Sequence, residues 1–155
     1  MKKGADNAIV TNRQARRDYA ILESIEAGIE LKGTEVKSLR GRRANLKESF
    51  ARIEKGEVIL YNFHISPYEF GNIHNVDPMR PRKLLLHKNQ ILRLYGQIQT
   101  KSCTLIPLKV YFKKGFAKVE IALAKGKRKY DKRETIKRRE AKREIDRALH
   151  RKQRG

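Results

Sequence analysis

The sequence predicts a mainly β domain of antiparallel strands with inserted helices, followed by a basic C-terminal tail. Three observations carry this reading. A period-two apolar series begins at Tyr19, two hairpin patterns fold around Gly-containing turns, and the apolar alternation stops after Ala124. Residues 1–124 are therefore expected to form the folded domain and residues 125–155 the tail.

Residues 1–18 are polar, with Arg13, Arg16 and Arg17 closely spaced. From Tyr19 the odd positions Ile21, Ile25, Ala27, Ile29 and Leu31 are apolar, with Glu23 interrupting, while the even positions include Ser24, Glu26, Gly28 and Glu30. That alternation marks a half-buried strand, in which Gly28 reads as a bulge or bend. Thr34 is a suitable N-cap for a short helix through Val36 and Leu39, ending near Gly41. Phe50–Glu54 and Glu57–Tyr61 then flank Lys55-Gly56 as a hairpin. Its second arm is expected to place Ile59, Tyr61, Phe63 and Ile65 on one face. Pro67, Pro78 and Pro81 mark residues 66–83 as a long irregular loop. Within 84–102 the spacing of Ile91, Leu94, Tyr95 and Ile98 is helical. A last hairpin pairs the face Ile106, Leu108, Val110, Phe112 with the face Ala117, Val119, Ile121, Leu123, around Lys113-Lys114-Gly115. About five strands with helices between them fit a small oligonucleotide-binding-like barrel, or a twisted open sheet with a packed helix. Periodicity does not separate the two.

The charge narrows the function. Among 155 residues, 38 Lys and Arg face 17 Asp and Glu, a net charge of +21, and only 39% of residues are apolar. Such an excess calls for a polyanionic partner. No apolar run approaches the roughly 20 residues that span a bilayer, so no membrane partner is expected. The N-terminus Met-Lys-Lys-Gly-Ala-Asp-Asn has no signal-peptide core, and the single Cys103 allows no intramolecular disulfide, so a cytoplasmic location is expected. Cys103, beside Leu105-Ile106, reads as a packing residue. Residues 125–155 hold fifteen Lys and Arg against five Asp and Glu. Few apolar residues and high charge predict disorder when free. A ragged stripe of Ile136, Ala141, Ile145, Ala148 and Leu149, with a Glu134–Arg138 pair, predicts folding into a helix on a polyanionic surface.

Signatures of catalysis are missing. His64, His74, His87 and His150 have no ligand spacing, Asp77-Pro78 reads as a turn, and no activated nucleophile or phosphate-binding loop is recognisable. No metal, cofactor or enzymatic activity is expected. Nucleic-acid binding fits better, because basic runs occur at Arg13–Arg17, Lys37–Arg43 and from Lys125 onward. Tyr19 reads as core, whereas Tyr130 lies in a segment with no core to join and can stack on a base. RNA is favoured over duplex DNA, since no helix-turn-helix or zinc finger is visible. A structural RNA-binding protein of the ribosome would explain charge, strands and tail equally well.

Several strings, taken together and in order, resemble the small protein B family of SsrA-binding proteins. They are Asn12-Arg13-Gln14-Ala15, Glu26-Ala27-Gly28-Ile29, Gly33-Thr34-Glu35-Val36-Lys37-Ser38-Leu39-Arg40, Asp77-Pro78 with Arg82-Lys83-Leu84-Leu85-Leu86, Leu94-Tyr95-Gly96, and Ala124-Lys125-Gly126-Lys127 followed by Asp131-Lys132-Arg133. The resemblance implies an oligonucleotide-binding-like antiparallel barrel. It also implies a monomer that binds the tRNA-like domain of transfer-messenger RNA and brings it, with elongation factor Tu, to stalled ribosomes. By the same resemblance the RNA-side residues include Asn12, Arg13, Glu26, Lys37, Arg40, Leu85, Lys118, Lys125 and Lys127. The tail would enter the empty mRNA channel, placing Tyr130, Asp131, Lys132 and Arg133 near small-subunit RNA at the decoding centre. Some family members carry His where this chain has Tyr130; both rings stack, but only His is protonated near neutral pH.

Overall fold

The computed structural model describes residues 8–71, 75–126 and 142–148 of the chain. Nine strands and three helices follow in order up to Gly126: β1 Ala8–Thr11, α1 Ala15–Asp18, β2 Tyr19–Ile29, α2 Gly33–Arg40, β3 Ala44–Asn45, β4 Phe50–Glu54, β5 Glu57–Tyr61, β6 His64–Ile65, β7 Arg82–Leu85, α3 Lys88–Lys101, β8 Thr104–Lys113 and β9 Phe116–Gly126. Residues 142–148 are helical and exposed.

Six antiparallel strands pair in the cycle β8–β4–β5–β7–β2–β9 and back to β8, so the sheet closes into a ring. β1 adds to β8 beyond β4, and β3 pairs with β6 separately. Closure removes the free edges that would otherwise recruit other strands. Both hairpins turn on two residues with positive φ, Lys55-Gly56 and Lys114-Gly115, as a tight twisted hairpin requires.

The ring interior holds Ala27, Ile29, Ala51, Val58, Leu60, Leu84, Leu105, Val110, Val119, Ile121 and Leu123, joined by Leu39 from α2 and Leu94 from α3. Each such fully buried Leu or Val contributes roughly 1.5–3 kcal/mol over an exposed one. A second cluster lies outside the ring. Ala15 of α1 packs on Ile106, Leu108, Ala122 and Ala124, with Tyr19, Ile21 and Phe50 at its margin.

Six sequence expectations need correction. The predicted helix within 84–102 is two elements: Arg82–Leu85 is a strand, and α3 begins at Lys88 after His87. The strand escaped the pattern because its inward residues are Arg82 and Leu84, and an inward Arg breaks the apolar alternation. Tyr95 of α3 faces solvent rather than the core. The bulge of β2 lies between Ile21 and Glu23, not at Gly28. Gly28 lies instead at a close approach between strands, where a Cβ would stand 3.2 Å from Leu85 Cβ and Leu85 would have to give way. On the second hairpin arm, Val58 and Leu60 are buried rather than Ile59 and Tyr61; Asn62, at φ 62°, then shifts the parity so that Phe63 and Ile65 turn inward. A similar bulge between Pro107 and Lys109 sends Ile106 and Leu108 to the outer cluster while Leu105 and Val110 face the interior. A strand proline is tolerated at such an irregularity. The helix α2 is capped at Lys32, not Thr34: the Glu35 carboxylate accepts the Lys32 N–H at 2.8 Å.

That Glu35 is the centre of a buried ionic cluster. Arg82, with no exposed surface, donates from Nε to Glu35 Oε2 at 2.6 Å and to the carbonyls of Phe63 and Pro78. Arg80 donates to Glu35 Oε1 at 2.5 Å and to Oε2 at 3.1 Å. Burial opposes the Glu35 charge. Hydrogen bonds from Arg80 and the Lys32 amide, with the Arg82 charge, outweigh it and hold the carboxyl below its ordinary value. The cluster ties α2 to β7 and to the loop that precedes it.

Candidate nucleic-acid interface

The outer face of β7, β2, β9 and β8 is built from register. Leu85 pairs with Gly28, Gly28 with Lys118, and Lys118 with Tyr111, so these four residues form one line across the sheet. The neighbouring outward line runs Glu26, Glu120, Lys109, with Lys109 Nζ 3.4 Å from Glu120. The Tyr111 hydroxyl donates to the Glu26 carboxylate, and Lys113 Nζ lies 3.5 Å from it. The Tyr111 hydrogen bond, and then the charges of Lys113 and Lys118, hold Glu26 below its ordinary value against the effect of burial. Burial and the facing carboxylate push the Tyr111 phenol up. The result is an ionised carboxylate held in place beside a lysine and an exposed leucine, on strands whose opposite face is the core.

The other sequence-derived positions fall elsewhere. Asn12 anchors the turn after β1: its Nδ2 donates to Pro107 O at 3.0 Å and its amide to Leu108 O at 2.7 Å, clasping the β8 bulge. It lines an open cleft of about 770 Å³ with Tyr19, Phe50, Arg52, Lys101 and Lys125. Phe50 stacks on Tyr61 with ring centres 5.4 Å apart, and the Arg52 guanidinium sits 5.1 Å from the Phe50 ring. Arg13 is exposed beside Asn12. Lys37 and Arg40 stand on α2, Lys37 Nζ 5.4 Å from the Tyr68 ring centre and the Arg40 guanidinium 4.5 Å from that of Phe112. Lys127, Tyr130, Asp131, Lys132 and Arg133 lie outside the described residues.

The structure thus brings Glu26, Leu85 and Lys118 together and assigns Asn12 with Lys125, and Lys37 with Arg40, to separate places. Sequence reasoning missed Tyr111, Lys109 and Lys113 on the sheet face, and Phe50 with Arg52 at the cleft. A signal for Tyr111 existed: it alternates with inward Val110 and Phe112 between two lysines, which makes it an outward aromatic.

The SmpB protein family matches residues 9–151. This chain belongs to the SmpB family. The SsrA-binding protein of Geobacillus thermodenitrificans is 58% identical over 153 residues, spanning 99% of both chains. That of Caldicellulosiruptor bescii is 65% identical over 144 residues, 93% of this chain and 91% of the relative. A chain in the solved structure "tmRNA-SmpB: a journey to the center of the bacterial ribosome" is 58% identical, with a TM-score of 0.64 over 76% of this chain and 82% of that one. The SmpB family is one of RNA-binding proteins. Among the described residues no helix is long and apolar enough to cross a membrane, and no group of three or more His, Cys, Asp and Glu is placed to hold a metal ion.

Proposed function

We propose that this chain binds the tRNA-like domain of transfer-messenger RNA and delivers it to stalled ribosomes for trans-translation. The observation that carries the reading is the sheet face on which Glu26, Leu85 and Lys118 stand side by side, with Tyr111 holding Glu26. Lys118 neutralises a phosphate, and Leu85 packs on a sugar or base. Glu26, already ionised and oriented, accepts hydrogen bonds from base amino groups, which gives preference among sequences that charge alone lacks. The names of the relatives as SsrA-binding proteins, and of the solved structure as tmRNA-SmpB in the ribosome, support it.

The closed six-stranded ring is assigned to the oligonucleotide-binding-like barrels, and the chain acts as a monomer in the cytoplasm with elongation factor Tu in the delivery complex. It contributes binding and no catalysis, without cofactor or metal. Asn12, Arg13, Lys37, Arg40, Lys125 and Lys127 add contacts around the RNA. The tail, 125–155, enters the empty mRNA channel, where Tyr130 stacks on a decoding-centre base, Lys132 and Arg133 hold phosphates, and Asp131 orients them.

The test is binding of the full chain to transfer-messenger RNA against an equal amount of unrelated structured RNA near physiological salt. Selective binding is expected, weakened by Glu26→Gln. Lys118→Ala is expected to lower the logarithmic salt slope by roughly 0.7–0.9, one phosphate contact. Binding that disappears under competition would mean that charge alone drives it. Stoichiometric recovery of the chain in salt-washed ribosomes would then identify a structural ribosomal component.

A further inference from the structure

A second, smaller notch lies away from the sheet face, between the start of α2 and the loop after β6. It holds about 240 Å³ and is lined by Lys32, Gly33, Lys37, Tyr68 and Phe70 among others. Its aromatic wall is held up by specific bonds. The Asn75 side chain clasps the Tyr68 backbone twice, accepting its N–H at 3.0 Å and donating to its carbonyl at 2.9 Å. Phe70 meets Tyr68 edge-on, ring centres 5.7 Å apart, and Lys37 Nζ stands 5.4 Å from the Tyr68 ring centre. Gly71 has no room for a Cβ, which would stand 2.5 Å from Asn75 Oδ1, so the turn is closed tightly on Asn75.

Among the described residues no ring or cation stacks on the Phe70 face. Phe70 is 75% exposed, more than any other large hydrophobic residue among those described. Gly33 adds no side chain that would fill the notch, and a Cβ there would touch nothing within 4 Å. Lys32 and Lys37 border the notch, the buried Glu35 carboxylate is bonded to Arg80 and Arg82, and the exposed Glu69 lies between Tyr68 and Phe70 in the chain. An exposed ring in a notch bordered by two lysines suits an unpaired nucleotide, with a face for the base and cations for its phosphates.

We infer that this notch is a nucleotide-binding subsite, in which Phe70 stacks on an unpaired base of the bound RNA while Lys32 and Lys37 hold the adjoining phosphates. The inference rests on the proposed function for the RNA, and it extends the contact from the sheet face to the loop after β6. A single-stranded or looped nucleotide is required, because a base inside a helix offers no free face.

The chain contains no Trp, so Phe70→Trp supplies a single indole reporter at the subsite. Full-length Phe70→Trp is titrated with transfer-messenger RNA, and Phe70→Leu is compared with the unsubstituted chain in the competition assay above. Phe70→Leu keeps apolar bulk but not the stacking face. Quenching of the indole on saturation, with affinity retained by Phe70→Trp and roughly tenfold weaker in Phe70→Leu, is the expected result. At 75% exposure neither substitution removes core packing, and an unchanged thermal melt checks this. Unchanged indole emission while the RNA binds, or Phe70→Leu binding as the unsubstituted chain does, overturns the subsite and leaves the proposed function intact. An unsubstituted chain that shows no selective binding overturns both.

Discussion

Removing the Glu35 carboxylate should cost more stability than removing any single exposed charge in the protein. In Glu35→Ala, Arg82 stays fully buried and keeps only the carbonyls of Phe63 and Pro78, with no countercharge at its Nε. A buried charge stranded in this way costs about 3–5 kcal/mol. Arg80→Ala is milder. The Arg80 side chain is 24% exposed, and Glu35 retains Arg82 and the Lys32 amide; about 1–2 kcal/mol is expected. Removing both ends with Glu35→Leu and Arg82→Met eliminates the stranded charge, so the double variant should lose at least about 2 kcal/mol less than the sum of the singles. Urea denaturation followed by circular dichroism measures Glu35→Ala, Arg80→Ala, the singles Glu35→Leu and Arg82→Met, and their double variant. At about 4 °C per kcal/mol for a domain of this size, Glu35→Ala should melt roughly 10–20 °C lower. The pH dependence has a definite sign. Because the folded Glu35 carboxyl titrates below its ordinary 4.5, its stabilisation is complete above that value and is lost as the pH falls through the depressed one. The reasoning is refuted if Glu35→Ala loses less than about 1 kcal/mol, or if Arg80→Ala costs as much.

Three further outcomes follow from named contacts. Tyr111→Phe removes the hydrogen bond that does most to hold the Glu26 carboxyl down, so Glu26 should titrate nearer its ordinary 4.5 by side-chain NMR, with the fold unchanged; no movement would show that the hydroxyl does not fix the carboxylate. Gly28→Val should destabilise by about 1–3 kcal/mol and weaken RNA binding, because its Cβ is forced onto Leu85. Gly28→Ala should lose less, since the exposed Leu85 can yield, and urea denaturation separates the two. In the tail, Tyr130→Phe should tag stalled products as the unsubstituted chain does and Tyr130→Ala should not; a Tyr130→Ala chain that tags normally refutes base stacking there.

The parts of the fold that were legible are those in which one face of an element is apolar and the other polar. β2 alternates from Tyr19 to Ile29, with Ile25, Ala27 and Ile29 facing the ring interior and Tyr19 and Ile21 the outer cluster, and the Lys55-Gly56 and Lys114-Gly115 turns punctuate the hairpins. The errors arise where a single residue resets the parity or carries the wrong polarity. Asn62 and the Pro107–Lys109 bulge each shift the inward face by one position, which no regular period can anticipate. Arg82 is an inward residue that hydropathy assigns to the surface, and its burial is intelligible only once Glu35, forty-seven positions earlier, is beside it. The same limit applies to the interface. Glu26, Leu85 and Lys118 were reached by resemblance, but their adjacency depends on the pairing of β2 with both β7 and β9, a contact between distant segments. Tyr111 was overlooked because its role lies in a bond to Glu26, eighty-five positions away.

The buried cluster also bears on how separate contact points can act on one RNA. The sheet face is carried by the ring, whereas Lys37 and Arg40 are carried by α2 and Tyr68 and Phe70 by the loop before β7. Glu35 belongs to α2, Arg82 to β7, and Arg80 to the end of that loop, so one carboxylate joins all three supports. At the other end of α2, Arg40 covers the Phe112 ring of β8 and Arg42 reaches the Ala8 carbonyl of β1, which ties the helix again to the ring. An RNA that touches both the sheet face and α2 needs a fixed distance between them, because each contact gains affinity only when the other can form without reordering the protein. Hydrophobic packing of Leu39 alone would hold α2 against the core and still allow it to slide or rotate. Directional bonds from two guanidinium groups to one carboxylate do not. The desolvation of Arg82 and Glu35 is thus offset by a defined spacing between α2 and β7, the strand that carries the exposed Leu85.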